Sequence, residues 1–164
     1  MMDPQEKQAL FERIVTENAK RIHNIARNGA SRDSSKDLEQ EILLALWMSL
    51  DSFKGLSSLT TWVYAVAINT ARLFRRKNSR PETPVGDFPA STAAACGDAS
   101  TRDPADLVEE FLPSLAMLDR FVFLMYLDDR GYREIAEATG IAEASLRVRI
   151  SRIKQQFMQR YLGS

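Results

Sequence analysis

Four cations crowd the last part of the chain: Arg147, Arg149, Arg152 and Lys154. They are interleaved with Leu146, Ile150 and Ile153, whose gaps of four and three residues put the apolar side chains on one face of an amphipathic helix and the cations off it. Guanidinium and ammonium groups held away from a buried face suit phosphate oxygens and base-edge acceptors. Just upstream, Glu134-Ile135-Ala136-Glu137-Ala138 has a helical pattern of its own. Gly140 stands where a left-handed C-terminal cap would end that helix. Ala136 is small where the two helices would cross, and Leu146 is apolar where the second must pack back. This is the layout of a helix-turn-helix. A hairpin that merely packs shows the same short pattern, so the motif alone leaves both readings open.

A second group of cations lies upstream. Between Thr70 and Arg80 stand Arg72, Arg75, Arg76, Lys77 and Arg80, with no acid. From Pro81 to Leu112 the balance inverts, with Glu82, Asp87, Asp98, Asp103, Asp106, Glu109 and Glu110 against Arg102 alone. The formal net charge of zero therefore hides two basic patches separated by an acidic stretch. That segregation suggests two contact surfaces for a polyanion.

These groups need helices to hold them. Asp3-Pro4 reads as a capped helix start, with Leu10, Ile14, Ala19, Ile22 and Ile25 carrying an apolar stripe to a C-cap at Asn28-Gly29. A second helix is predicted from Ser35 to Leu50, burying Leu38, Ile42, Leu43, Leu46 and Trp47. Asp37, Gln40, Glu41 and Met48 fall on its opposite side. The connector Asp51 to Leu59 is rich in turn residues. Thr60 or Thr61 is the expected cap of a third helix reaching Asn78, with Trp62, Val66 and Leu73 in its core and the basic cluster at its end. Pro81 to Asp103 holds helix breakers and small residues, which reads as a flexible acidic linker. Pro104 to Phe111 and Ser114 to Leu127 are predicted helices before the opening motif. No strand alternation is present. The fold class is all-α: two small helical domains, residues 1–80 and 108–164, joined by a linker over 81–107.

Enzymatic chemistry finds little here. There is no Gly-rich phosphate loop, no Ser/His/Asp set and no zinc spacing. Cys96 is the one cysteine, so neither a disulfide within the chain nor a cysteine-based zinc site is expected. His23 has no evident partner and reads as structural. The N-terminus lacks the apolar core of a signal peptide, and no apolar run reaches spanning length, so a cytoplasmic protein with no membrane insertion is expected.

Four stretches together resemble a known family. DLEQE at residues 37–41, TTWVYAVAINTARLFRRK at 60–77, LDRFVFLMYLDDRGYREIAEATG at 118–140 and ASLRVRISRIKQQF at 144–157 are similar, in this order, to the extracytoplasmic-function sigma factors, small two-domain bacterial sigma subunits of RNA polymerase. The likeness covers nearly the whole chain outside the linker. The resemblance implies a protein of the bacterial cytoplasm, nucleoid-associated in holoenzyme and tied to stress response. It would bind core RNA polymerase at the β′ clamp helices and the β flap, and direct initiation at a two-part promoter. Its other expected partners are promoter DNA, duplex and melted at −10, and an anti-sigma factor of the kind many relatives have. It implies no catalysis, metal or cofactor.

Carried onto this sequence, the resemblance assigns Asp37, Gln40 and Glu41 to polymerase docking. Asn69, Arg72, Arg75, Arg76 and Lys77 fall to the −10 element, with Phe53 to Leu59 as the loop that captures a flipped base. Tyr132, Arg133, Ser145, Arg147, Val148, Arg149, Ser151, Arg152 and Lys154 fall to the −35 element. Val148 departs from the family, which often carries serine there. A stand-alone helix-turn-helix regulator is the alternative; it would need no docking face. A carboxylate-metal nuclease using Asp37, Glu39 and Glu41 is a third reading, weakened because Glu39 points away from the other two on a helix.

Overall fold

The computed structural model describes residues 1–78 and 101–163. The described residues form seven α-helices: α1 (Pro4–Gly29), α2 (Ser35–Ser49), α3 (Leu59–Asn78), α4 (Pro104–Phe111), α5 (Met117–Leu127), α6 (Tyr132–Thr139) and α7 (Glu143–Tyr161). Short 3-10 turns follow α2 at Leu50–Ser52 and α4 at Leu112–Ser114. No strand occurs among the described residues. Residues 81–100 of the expected linker, Cys96 with them, lie outside the described residues, and 104–107 form the first turn of α4.

Local chemistry fixes most helix ends. Asp3 Oδ2 accepts from the N–H groups of Gln5 at 3.1 Å and Glu6 at 3.4 Å, with Pro4 at the first helical position. Gly140 has φ +76 and its N–H reaches the Ala136 carbonyl at 2.9 Å, the left-handed stop expected of it. Three boundaries differ from expectation. α3 is capped by Ser58, whose Oγ accepts from the Thr61 N–H at 3.1 Å, rather than by either threonine. α5 starts at Met117, because Pro113 belongs to the 3-10 turn and Ala116 is extended. Gly29 is not a cap but the last residue of α1, and it is buried. A Cβ there would meet Ala71 Cβ at 3.0 Å, Leu38 Cδ2 at 3.1 Å and Phe121 Cζ at 3.2 Å. Glycine is needed for close packing, where the sequence suggested a turn.

Helices α1 to α3 pack Ile14, Ile22 and Ile25 against Leu38, Ile42 and Leu46 and against Val63, Ala67, Ile68 and Ala71. The same apolar cluster continues into the C-terminal helices through Phe121, Val122, Met125, Ile135, Leu146 and Ile150. A second cluster of Phe111, Leu112, Leu115, Phe123 and Ile153, flanked by Phe157 and Tyr161, closes the far end under α4. The two helical groups thus share a core.

Polar bonds line the seam between them. Asp128, at the C-terminal end of α5, accepts from Arg21 Nε at 2.7 Å and from the Tyr64 hydroxyl at 2.7 Å. Thr61 Oγ1 donates to Glu134 Oε1 at 3.0 Å. Arg72 Nη2 donates to the Thr139 carbonyl at 3.0 Å, and Arg120 Nη1 to the Asn28 carbonyl at 3.0 Å. Burial opposes ionisation of Asp128, but its bonds to Arg21 and Tyr64 outweigh it and hold the carboxyl below its ordinary range. Burial, with that carboxylate beside it, pushes the Tyr64 phenol well above its ordinary value.

Candidate nucleic-acid interface

Helix α2 buries Leu38, Ile42 and Leu46 and turns Asp37 and Gln40 outward, with Glu41 half-buried at the edge. The i, i+3, i+4 spacing that joins these three polar residues also brings in Leu44 and Met48. Both are exposed. The face is therefore apolar as well as acidic. Leu44 was missed from the sequence, although it stands seven residues after Asp37 and four after Gln40. Glu39 faces His23 instead, with Oε2 at 3.4 Å from Nδ1. His23 thus has a carboxylate neighbour that the sequence did not reveal, and the described residues hold no cluster of three or more His, Cys, Asp or Glu that could bind a metal.

Helix α3 has three faces. Val63, Ala67, Ala71 and Phe74 are buried. Thr61, Tyr64 and Arg72 point to the C-terminal helices through the bonds above. Trp62, Val66, Asn69, Leu73 and Arg76 follow one another at i, i+3 and i+4 spacing along a third side. Asn69 and Arg76 are exposed there, Trp62 and Val66 are half-buried, and Leu73 is 52% exposed. Trp62 and Val66 pack against the core from this side, as their spacing suggested, but Leu73 does not belong to it: periodicity identified the common face but not where its cover ends. Of the basic cluster, Arg72 is engaged with Thr139, while Lys77 and Arg76 are exposed and Arg75 is half-buried. The connector before α3 turns at Gly55, φ +70, and leaves Leu56 at its tip 90% exposed. Phe53 folds back onto Trp62, ring centroids 5.1 Å apart.

Helices α6 and α7 form the helix-turn-helix. Glu134 Oε2 accepts from the Gly131 N–H at 3.0 Å, capping α6. That bond is the main reason its carboxyl sits below the ordinary range. Leu146, Ile150 and Ile153 are buried, as the spacing requires. Arg147, Val148, Ser145, Ser151, Arg152 and Lys154 are exposed. The cations differ in freedom. Arg149 donates to Asp119 at 2.7 Å, Arg147 lies 4.7 Å from the Tyr132 ring centroid, and Lys154 lies 5.4 Å from that of Tyr126. Arg133 faces Glu137 at 3.7 Å. Such a face, with cations spread around an exposed ridge, can meet a duplex through phosphate and base edges together.

Residues 14–81 match the Sigma-70 region 2 family and residues 105–157 match Sigma-70, region 4. The "ECF RNA polymerase sigma-E factor" of Haemophilus influenzae is 26% identical over 160 residues, covering 88% of this chain and 84% of the relative. That of Escherichia coli is 26% identical over 161 residues, covering 90% and 84%. The chain belongs to the extracytoplasmic-function sigma factors. It is a promoter-directing subunit that works with RNA polymerase and promoter DNA through its regions 2 and 4. The match to region 2 as well as region 4 disfavours a stand-alone regulator. Two solved structures share the fold: CnrH in complex with the cytosolic domain of CnrY, TM-score 0.61 at 20% identity over 92% of this chain and 86% of that one; and the sigma factor RpoE in complex with the anti-sigma factor NepR from Bartonella quintana, TM-score 0.61 at 20% identity over 91% and 94%. No helix among the described residues of this sigma factor is long and apolar enough to cross a membrane.

Proposed function

We propose that residues 1–80 dock the polymerase and read the −10 element, and that residues 108–164 read the −35 element. The docking face is Asp37, Gln40 and Glu41 on α2, widened by Leu44 and Met48. The acidic groups set orientation and on-rate, and the apolar pair supplies area that gains from losing water. The −10 surface is the outward side of α3, with Asn69, Arg75, Arg76 and Lys77, continued by the loop that ends in Leu56. Arg72 joins it only when its bond to the Thr139 carbonyl is exchanged for one to DNA. The −35 surface is the outward side of α7, with Ser145, Arg147, Val148, Arg149, Ser151, Arg152 and Lys154, supported by Tyr132 and Arg133 at the start of α6.

One observation carries this reading: each group of helices leaves a separate basic face exposed, with Arg76 and Lys77 on α3 and Arg147, Arg152 and Lys154 on α7. The protein itself makes and breaks no bonds; phosphodiester synthesis belongs to the polymerase. An anti-sigma protein as regulator is part of the same proposal, by likeness to the neighbour solved with NepR. So is a cytoplasmic location.

Run-off transcription with core polymerase on a promoter library tests the whole. The expected result is initiation that depends on two separate sequence blocks. Dependence on a single block would overturn the division between α3 and α7. In pull-downs with core polymerase, Asp37→Ala combined with Gln40→Ala should weaken capture at least several-fold; undiminished capture would remove the α2 face from the proposal.

A further inference from the structure

Resting on the reading of α7 as the −35 helix, we propose that Val148 selects a thymine through its 5-methyl group. Val148 is 66% exposed. It lies two residues from both Leu146 and Ile150, which are buried, so it points opposite to the core. Ala144, Val148, Ser151 and Gln155 follow one another at helical spacing along this outermost ridge, and all four are exposed. Val148 is five residues past Glu143, the first residue of α7, and so falls in the N-terminal part that meets base edges when such a helix enters the major groove.

The neighbouring cations leave the centre of the ridge to Val148. Arg147 is drawn toward the Tyr132 ring on one side, and Arg149 toward Asp119 on the other. What faces the base pair between them is an isopropyl group with no donor and no acceptor. In the major groove a base pair offers one apolar group, the thymine methyl. Every other edge presents donors or acceptors that would lose water against valine and gain no partner. Val148 therefore acts in two ways, by attraction to the methyl and by rejection of polar edges. A serine at this place would tolerate any base, because a hydroxyl both donates and accepts.

The test uses holoenzyme reconstituted from core polymerase and the full chain, as wild type and as Val148→Ser. Both select from promoters randomised in the upstream block. Uracil then replaces thymine, position by position, in the duplex that wild type prefers. Wild type should enrich thymine at one upstream position, and Val148→Ser should lose that preference while keeping the others. Uracil at that position should weaken wild-type binding about fourfold, the worth of one buried methyl-sized group, and leave Val148→Ser unchanged. If wild type tolerates uracil, or the serine variant keeps the thymine, Val148 is not the reader and α7 remains the −35 helix. If neither protein enriches any upstream base, the α7 reading fails and this proposal with it.

Discussion

The seam between α3 and α6 and the outward side of α7 are built from the same kinds of residue. Arginines, hydroxyls and carboxylates occur on both. On the seam each has a partner inside the protein: Arg72 with the Thr139 carbonyl, Thr61 with Glu134, Tyr64 and Arg21 with Asp128. On α7, the side chains of Arg152 and Ser151 are exposed. A guanidinium is thus bound within the protein in one place and left open to solvent in the other. What separates them is whether another helix arrives within hydrogen-bond reach. The seam also carries apolar contacts, so it couples the two helical groups energetically and does not merely touch.

The largest test of that coupling is Phe121→Ala. Phe121 is fully buried in the cluster shared by both groups of helices. Its truncation should cost about 3–5 kcal/mol. Both tryptophans of the chain, Trp47 and Trp62, lie in the N-terminal helices. Their fluorescence transition in denaturant should shift together with the far-ultraviolet dichroism, although the substitution is in α5. A fluorescence midpoint that stays in place would separate the two groups and break the comparison.

Asp128→Ala comes next, at about 1–3 kcal/mol, because it leaves the Tyr64 hydroxyl and the Arg21 guanidinium without their shared acceptor. A double-mutant cycle with Tyr64→Phe should give a coupling of at least about 0.5 kcal/mol. The pH dependence has a definite sign. Asp128 and Glu134 have folded pKa values below their ordinary ones. The stability they add is present above the ordinary carboxylate values of about 3.9 and 4.3 and is lost as pH falls through the lower folded values. Denaturation midpoints should therefore drop below about pH 4, less steeply in Asp128→Asn. A wild-type midpoint flat down to pH 3 would count against these bonds.

Gly29→Ala should destabilise by about 1–3 kcal/mol, since its Cβ would push on Ala71, Leu38 and Phe121 at once. A neutral result in thermal melts would mean that the α1–α3–α5 junction yields more than its spacing suggests.

The smallest effects on stability belong to α7. Arg152→Ala should leave the melting temperature unchanged and reduce the salt dependence of promoter binding by about one unit of slope. Arg149→Ala should do the reverse, losing some stability through Asp119 and changing the slope less. Equal slopes for the two variants would show that the Asp119 bond opens when DNA binds.

The α7 face was the most legible part. Leu146, Ile150 and Ile153 set its phase, and one buried stripe on a two-helix motif determines which side is left outward. The α2 face was legible for Asp37, Gln40 and Glu41 but incomplete, because an apolar residue such as Leu44 gives no local sign that it stays exposed while Leu38, Ile42 and Leu46 are buried. The α3 face was misassigned at Leu73. An apolar stripe shows which residues share a side, but a helix with two neighbours has more than one buried side; Thr61 reads only as a possible cap, and nothing local marks Tyr64 as buried. Nothing in the spacing of Arg21, Tyr64 and Asp128 could pair them, since hydrogen bonds between residues up to 107 apart depend on how helices meet.

By itself the sequence determined the helices, most of their ends, the helix-turn-helix with Gly140 at its turn, and the family. These depend on periodicity, capping and glycine conformation, all of which act within a few residues. Only the tertiary structure decided that Gly29 is a packing contact, that Arg72 and Arg149 are bound within the protein, and that the two helical groups share a core. Each of these depends on distances between segments far apart in the chain, and local preference carries no information about such distances.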